Sequence, residues 1–502
     1  MFVIIILTFK DYGISWDEIY QAEYGRMTYE YFRTFGADKS SFSYMNSYYY
    51  GPLVELICHS VFNAFPSIGL YETRHLISAL IGAVGIIGCY KIGKLCGGAI
   101  VGLLSIISIC LFPTYYGHIF INAKDIPFAV GGIWSLYYSL LIIQELPNIK
   151  YLNFFKLGII IGLSLAIRVG AVIFWGYFLS AISIWAVINF KTIYKFWSEQ
   201  SLIPFTFKII VSFIGSVLFS YCLMVILWPA AHQNPLSFPY NSLIYFSNFE
   251  GQTQDTFQYL LTYFPVKIPE LFLLLTPVGI LLIIFDFFRN NGNQVNLVAR
   301  VTLLASFIFP LLLVVLKKSY LYNELRHVLF VLPTLILFTT ISAGRLLQIF
   351  PFRFTAICLY SIFIIHAILL LTNLFQLHPY QYIYYNNISG GISAAYKNQL
   401  PLDYWCTSYK EVSEYFLRSL RSKGTEVRKK KFFLYTHGPF WGADIYLKNK
   451  SPKVLSVGTP EEANYIISYT DNRVDKKWNG KIIYKTQRFN TPISVLAKVE
   501  SN

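Results

Sequence analysis

Apolar runs long enough to cross a lipid bilayer recur along most of this chain. They lie between positions 76 and 371 and are separated by polar or charged breaks. Because the hydrocarbon core offers no hydrogen-bond partner to a free backbone group, runs of about 20 apolar residues cross it as helices. Hydrophobic residues make up 55% of the 502 residues and charged residues 13%, too few to coat one soluble globule of this size. The sequence therefore predicts a polytopic all-α membrane protein.

The number of runs predicts about eleven membrane helices, the first of them short. Residues 1–9 are apolar but too few to span alone, and they lack the basic start and small-residue cleavage site of a signal peptide. We interpret them as the end of a first membrane helix, either shortened or read from a misplaced start. The other spans are expected at residues 76–90, 99–115, 128–143, 154–167, 171–188, 209–228, 271–285, 301–316, 328–340 and 356–374.

The basic residues between the spans predict the orientation. Alternate threading places most loop Lys and Arg residues on one side, which the positive-inside rule assigns to the cytoplasm. Because these loops explain much of the formal net charge of +15, nucleic acid is not expected as a partner. The polar segments that could carry chemistry fall on the outer side. They are residues 10–73, 118–127, 229–269, 317–327 and everything after 376.

Composition divides the chain into two domains. After residue 375 the apolar runs stop and the charge density rises. We therefore expect a transmembrane domain at 1–375, with a large first outer loop at 10–73, and a small extracytoplasmic α/β domain at 376–502. Within the outer loop, residues 18–35 are expected to form a short amphipathic helix at the membrane interface.

The α/β domain is expected to contain one amphipathic helix and several short strands. Ser408 and Glu411 have the spacing of a capping box, and Gly424 is a suitable stop. Apolar residues follow the cap at helical spacing: Val412, Tyr415, Phe416 and Leu420. The β-prone runs are residues 432–435, 465–469, 481–484 and 493–499.

Two adjacent carboxylates, Asp17 and Glu18, lie just beyond the first apolar run. A carboxylate held near the bilayer surface can act as a general base and take the proton of an attacking hydroxyl. An ordinary solvated acidic pair is the alternative, with equal weight. A catalytic role requires that one of the two be held in a fixed position.

A second polar cluster lies at residues 118–128, at the mouth of a predicted span. Pro127 suits the first turn of the following helix. Lys124 could neutralise a phosphate, and Asp125 could orient Lys124 or an acceptor. The alternative is that Lys124 only anchors a helix end to lipid headgroups.

Basic residues open a third candidate segment at the outer start of another span. Arg326 offers a bidentate fork for a phosphate and His327 a further donor, so both could stabilise charge on a departing phosphate. A basic pair at a membrane edge is otherwise common. Arg168 lies near the outer end of the run at 154–167, where an ionisable residue is costly enough to be a functional candidate, with snorkelling as the alternative.

Three of these motifs together resemble the GT-C superfamily of membrane glycosyltransferases. They are Trp16-Asp17-Glu18, Asn122-Ala-Lys124-Asp125-Ile-Pro127 and Arg326-His327. Their order and their common side favour the branch that contains protein O-mannosyltransferases and the bacterial transferases that add aminoarabinose to lipid A. Residues 378–386, 390–391 and 402–405 also look like bacterial members of that branch, without a chemistry assigned to them.

The resemblance implies transfer of a sugar from a polyprenyl-phosphate donor to a hydroxyl of a lipid, glycan or protein acceptor. It implies an inverting single displacement with Asp17 as general base. The other candidate catalytic residues are Glu18 and Asp125, and the candidate substrate-binding residues are His118, Asn122, Lys124, Arg168, Arg326 and His327. No metal ligand and no cofactor is assigned, although a divalent metal is left open because some relatives hold one in acidic outer loops. The short first apolar run departs from the family pattern.

Two other functions compete with the enzyme. A transporter or flippase of lipid-linked sugars would share apolar grooves and outward cations, but transporters usually carry mid-span ionisable groups and repeated halves. We find no internal repeat and few mid-span charges. A receptor-like or assembly protein would bind partners through its outer domain and would not need Asp17.

An amino-acid composition rich in Ile, Lys, Asn and Tyr indicates a bacterial, AT-rich genome. We therefore expect an inner-membrane protein, surrounded by membrane lipids, whose site faces the periplasm.

Overall fold

The computed structural model describes residues 1–198, 202–248, 255–289, 294–422, 430–448, 450, 452–477 and 480–499. Helices dominate, and one small sheet lies in the C-terminal part. The α-helices are α1 Phe2–Thr8, α2 Glu18–Arg33, α3 Leu53–Ala64, α4 Leu70–Gly97, α5 Ala99–Cys110, α6 Pro113–Ile121, α7 Asp125–Glu145, α8 Tyr151–Leu165, α9 Trp175–Ile188, α10 Phe190–Ser198, α11 Leu202–Leu227, α12 Ser237–Ser247, α13 Thr256–Lys267, α14 Glu270–Arg289, α15 Gln294–Leu316, α16 Leu332–Ile349, α17 Arg353–Leu377, α18 Gly391–Lys397, α19 Tyr409–Arg421 and α20 Trp441–Leu447.

Eight helical segments in these ranges are long and apolar enough to cross a membrane. A ninth candidate is the pair α5 and α6, which passes the same test together but bends by 63° at its break. The other two expected spans are α1, with 7 residues, and α8, with 15. The prediction of a polytopic helical membrane protein is confirmed, with fewer full spans than the eleven or so expected. The eight are Leu70–Gly97, Asp125–Glu145, Val169–Ile188, Leu202–Leu227, Glu270–Phe288, Leu297–Leu316, Arg326–Ile349 and Arg353–Leu377.

Helix α8 ends at Leu165, and three residues later the side chain of Arg168 reaches the start of α7. A 3-10 turn, Val169–Phe174, separates α8 from α9. At this turn Arg168 Nη2 lies 2.7 Å from Asp125 Oδ1. A cation near the hydrocarbon core is costly without a partner, so the ion pair offsets that cost and fixes the turn.

Two glycines at GxxxG spacing let α8 and α11 pack closely. A Cβ on Gly158 would lie 2.8 Å from the backbone oxygen of Ser216, and one on Gly162 would lie 2.9 Å from that of Ser220. Any larger residue at either position would push the two helices apart. Close backbone approach through small residues is a common way for membrane helices to associate.

The outer segment between α1 and α4 contains two helices, α2 and α3. The helix expected in this loop is confirmed as α2. The two helices meet at Gly25, where a Cβ would lie 2.6 Å from the backbone oxygen of Glu55. Asp17 is the residue that precedes α2, so this packing determines where its carboxylate lies.

A five-stranded sheet in the order β2-β1-β3-β5-β4 forms the centre of the C-terminal part. β1 pairs in parallel with β2 and β3, whereas β5 pairs antiparallel with β3 and β4. Four of the strands confirm the expected β-prone runs. β2 was not predicted because only Val454 and Leu455 of its four residues are apolar. The strands are β1 Lys431–Thr436, β2 Lys453–Ser456, β3 Tyr465–Tyr469, β4 Lys481–Arg488 and β5 Thr491–Lys498.

The amphipathic helix expected after residue 408 is confirmed as α19, but its capping box is wrong. Ser408 makes no side-chain cap hydrogen bond and instead donates to Ser494 Oγ at 2.7 Å. Glu411 accepts from Tyr380 and Tyr484, each at 3.0 Å. Tertiary partners therefore compete successfully for both side chains. The expected stop at Gly424 lies outside the described residues.

Most large side chains of the chain between α17 and α19 pack with the membrane helices, although Ser393 and Cys406 also contact the C-terminal part. Tyr382, Tyr404 and Trp405 are buried in the same apolar cluster as those helices, whereas the core beneath the sheet is a separate cluster that includes Leu434. We call residues 380–407 the inserted segment. It brings several aromatic side chains to the outer end of the helical bundle.

Candidate active site

Arg326 lies at the centre of a charged cluster at the outer end of the bundle. It is buried and is the first residue of the 3-10 turn Arg326–Val331 that leads into α16. Its Nη1 lies 3.4 Å from Asp17 Oδ2, and its Nε lies 3.5 Å from Asp125 Oδ2. Three residues predicted from separate motifs therefore converge on one point.

The Asp125 carboxylate is held from three directions at the first residue of α7. Arg168 and Arg326 are its two cationic neighbours. Asn122 Nδ2 donates to Asp125 Oδ2 at 2.8 Å, while Asn122 Oδ1 accepts the backbone N–H of Asp125 at 2.9 Å. A carboxylate with this many donors is stabilised in its ionised form and serves to position the two guanidinium groups.

His118 extends this network toward the inserted segment. Asn122 Nδ2 carries two hydrogens, so it also donates to His118 Nδ1, at 3.0 Å. The proton of a neutral imidazole is then on Nε2, which lies 3.2 Å from the hydroxyl oxygen of Tyr404 and donates to it. The chain of contacts links Asp125 to the inserted segment through buried groups.

Asp17 and Glu18 are adjacent in sequence but occupy different environments. The side chain of Asp17 is 45% exposed, whereas that of Glu18 is 3% exposed. Glu18 accepts the backbone N–H of Ser15 at 3.0 Å and lies between Arg74 and His75. Burial raises the pKa of Glu18, but His75 and Arg74 outweigh burial, so the pKa is lowered. Asp17 is thus the carboxylate of the two that stays accessible from outside the protein.

Lys124 lies one residue before α7, over the ring of Tyr50. Its Nζ is 3.9 Å from the ring centroid, and burial lowers the pKa of this amine. Arg168 approaches the same ring, with Cζ 5.7 Å from the centroid. Tyr50 therefore holds two cations side by side by cation–π attraction.

A cavity of about 1220 Å³ opens beside this cluster. Part of its wall is apolar and comes from Phe128, Ile173, Leu243, Phe246, Val314 and Phe330. Its basic lining residues are Arg168, Lys317, Lys318, Arg326 and His327. Tyr50 also lines it. The cavity combines an apolar surface with positive charge, which suits a ligand that has an apolar chain and an anionic head.

Sequence reasoning missed the aromatic side chains that hold Arg326. The guanidinium Cζ lies 5.3 Å from the ring centroid of Tyr322 and 5.1 Å from that of Trp405. Tyr322 also packs against the ring of His327 at 4.4 Å. The signal for Trp405 was present in the motif at 402–405, but no spacing rule indicates that this motif reaches Arg326.

No group of three or more His, Cys, Asp or Glu residues is placed to hold a metal ion within the ranges that the structure describes. The two site carboxylates, Asp17 and Asp125, face Arg326 instead.

No family model and no curated protein matches this chain. The fold is similar to ArnT from Cupriavidus metallidurans in the apo state, with a TM-score of 0.48 and 11% identity over 99% of this chain and 97% of that chain. For ArnT from the same organism bound to undecaprenyl phosphate, the TM-score is 0.48 and the identity is 10%, over 98% of this chain and 96% of that chain. A third similar structure is the archaeal oligosaccharyltransferase AglB from Archaeoglobus fulgidus in complex with an inhibitory peptide and a dolichol-phosphate. Its TM-score is 0.44 and its identity is 11%, over 91% of this chain and 66% of that chain.

Proposed function

We propose that this protein is a membrane glycosyltransferase that moves a sugar from a polyprenyl-phosphate donor to an acceptor hydroxyl on the outer face of the membrane. One observation carries the proposal. The exposed carboxylate of Asp17 and the guanidinium of Arg326 meet at 3.4 Å, and Arg326 lines the cavity described above. An acid–base group thus lies beside an anion-binding group that lines the cavity.

The cavity suits both parts of such a donor. Its apolar wall can bury the start of a polyprenyl tail, and this burial stabilises the complex by about 25 cal/mol per Å² of apolar surface removed from water. Asp17 and Asp125 together balance the charges of Arg168 and Arg326. The charge of a bound phosphate is therefore also neutralised by the remaining cations, Lys124 and the exposed Lys317 and Lys318.

The proposed reaction is a single displacement. Asp17 takes the proton of the acceptor hydroxyl as its oxygen attacks the anomeric carbon. The bond between that carbon and the phosphate oxygen breaks, and its electron pair stays on the phosphate. Arg326 stabilises the negative charge that develops there. One attack from the face opposite the leaving group inverts the anomeric configuration.

Asp125 and its neighbours have a supporting part in this mechanism. Because Asp125 is buried and paired with Arg168, we assign it to positioning the cations rather than to proton transfer. Asn122 and His118 hold Asp125 in turn. Glu18 stabilises the start of α2 through Arg74 and His75, next to Asp17.

The site and the C-terminal sheet are proposed to face the periplasm of a bacterial cell, with a lipid, glycan or protein as acceptor. A flippase of lipid-linked sugars remains the alternative. In the described part of the chain, the ionisable residues of the site lie at or beyond helix ends rather than at mid-span, which favours the enzyme.

The test is a transfer assay with purified Asp17→Asn and Arg326→Ala, using polyprenyl phosphate carrying a radiolabelled hexose or pentose. We expect each variant to lose on the order of a hundredfold or more in turnover. Asp11→Asn is the matched control, because this half-exposed carboxylate lies on the same loop and pairs with His378 instead. Near-normal turnover in a folded Asp17→Asn or Arg326→Ala protein would remove that residue from its role.

A further inference from the structure

We propose that the buried ion pair between Lys267 and Glu324 is a positioning device that holds Arg326 in place for the donor phosphate. This inference rests on the proposed function. Lys267 is the last residue of α13, and Glu324 lies two residues before Arg326. The two side chains are 0% and 1% exposed.

Glu324 is fixed through both its side chain and its backbone. Besides the ion pair, its Oε1 accepts the hydroxyl of Tyr385 at 2.9 Å. Its backbone oxygen accepts the hydroxyl of Tyr259 at 3.0 Å. Lys267 Nζ in turn donates to the backbone oxygen of Tyr382 at 3.0 Å. Helix α13 and the inserted segment therefore clamp the same residue from two sides.

The clamped stretch has a backbone conformation that needs such support. Asn323 and Glu324 both adopt positive φ angles, of 56° and 60°. Side chains with a Cβ rarely occupy this left-handed region, so two in a row persist only where the surroundings impose them. The backbone N–H of Arg326 donates to the carbonyl of Asn323 at 3.4 Å, so this strained turn leads directly to the arginine.

The inserted segment contacts both ends of this stretch. Tyr385 contacts Glu324, while Trp405 packs against the guanidinium of Arg326. A shift of the turn would therefore move the guanidinium away from Trp405 and from the cavity. A misplacement of about 1 Å at a charged catalytic group is enough to cost on the order of a hundredfold in rate.

Net stability does not explain the pair. The cost of removing two charges from water usually cancels most of their attraction, so a buried ion pair contributes little to folding. We therefore attribute to the pair a role in fixing one conformation of the loop. Burial raises the pKa of Glu324 to about 7, against the opposing effects of Lys267 and Tyr385.

The test compares Glu324→Gln with the unmodified protein. The amide keeps the shape and a hydrogen-bond acceptor but leaves Lys267 without a counter-charge. We expect polyprenyl phosphate to bind on the order of tenfold more weakly, and the KM for the sugar donor to rise by a similar factor. The KM for the acceptor should not change. Tyr385→Phe removes the hydroxyl that contacts Glu324 Oε1 and the backbone oxygen of Pro401, but no charge, and should give a smaller effect of about threefold.

Asp286→Asn is the matched control. Asp286 is a buried carboxylate paired with Arg300 and Arg345, far from the cavity. Its loss should lower thermal stability and leave polyprenyl phosphate affinity unchanged. An equal loss of affinity in Asp286→Asn would show a general effect of buried charge and overturn the positioning role.

The outcomes separate this inference from the function it rests on. If the unmodified protein does not bind polyprenyl phosphate, the proposed function fails. If the unmodified protein binds it and folded Glu324→Gln binds it equally well, only the positioning role fails. Should Glu324→Gln not fold, Tyr385→Phe decides: unchanged donor KM in that variant contradicts the inference.

Discussion

Two buried clusters of arginine and aspartate lie at opposite ends of the Arg326–Ile349 span. At one end Asp286 accepts both Nε and Nη2 of Arg345, at 3.0 and 2.7 Å, and also pairs with Arg300. At the other end Arg326 lies between Asp17 and Asp125. The first cluster joins the three successive helices α14, α15 and α16, whereas the second joins segments far apart in sequence.

The clusters differ in what remains accessible. Asp286 is 1% exposed and Arg300 is 2% exposed, so that cluster is closed around one carboxylate. The outer cluster adjoins the cavity and leaves Asp17 nearly half exposed. The comparison teaches that paired buried charge by itself indicates helix coupling. A reachable carboxylate and an adjoining cavity are what mark a reactive site.

Substituting lysine for arginine at each end is the strongest test of this contrast. Arg326→Lys should lower kcat/KM by about a hundredfold or more, because a lysine cannot face two carboxylates and a phosphate with a planar fork. Arg345→Lys should change kcat/KM less than about threefold while lowering the midpoint of thermal unfolding. Transfer kinetics and thermal unfolding of both purified variants measure the two effects. Similar kinetic losses at both ends would contradict the distinction.

The pH dependence of donor binding is the second test. Since the pKa of Glu324 is raised to about 7, its carboxylate gains a proton as the pH falls through that value, and the ion pair with Lys267 is lost. We expect polyprenyl phosphate to bind several-fold more weakly at pH 6 than at pH 8. Glu324→Gln should bind weakly at both values.

The folding stability that Glu324 contributes changes with pH in the opposite direction to donor binding. A carboxyl group whose folded pKa is raised contributes less to stability as the pH rises from its ordinary pKa of 4.5 to about 7.

The groups that face Glu324 are Lys267, Tyr259, Tyr263, Tyr385, Tyr404 and Asp471. Burial raises the pKa of Asp471 to about 8, so Asp471→Asn belongs in the same experiment. The phosphate also titrates, but equally for every variant. An unaltered pH profile in Glu324→Gln would exclude Glu324 as the group responsible.

The smallest effect is expected from the exposed lysines at the cavity. Lys317→Ala with Lys318→Ala should weaken polyprenyl phosphate binding about twofold to fivefold, with the difference shrinking at high salt because exposed charges are screened. The paired control is Lys91→Ala with Lys94→Ala, two exposed lysines of α4 that do not line the cavity. Binding measured at low and high salt checks both. Equal losses in the two double variants would point to general attraction between the protein and an anionic lipid.

Local signals in the sequence predicted much of the site. Asp17, the residues from Asn122 to Asp125, and Arg326 all lie where an apolar run meets polar residues, and the structure brings them together. Charge at such a position is costly unless it has a partner or a function, which is why the pattern is informative. The same rule could not distinguish Asp17 from Glu18, since adjacent residues share every local signal.

The inserted segment shows the limit of that reasoning. Its tyrosines and Trp405 were noticed, but their contacts with His118, Glu324 and Arg326 join positions 61 to 286 residues apart. Lys267 was not singled out at all. A lysine near a helix end looks ordinary until the fold buries it against a carboxylate.

The sequence by itself determined the positions of the apolar membrane helices, four of the five strands of the C-terminal sheet and the charged residues at the outer helix ends. These follow from apolar periodicity and from the cost of charge near hydrocarbon, both of which act over short stretches. Only the tertiary structure decided which carboxylate stays accessible, which cations share it, and which aromatic rings support them. These contacts and exposures depend on how distant segments pack, and packing is a property of the folded chain as a whole.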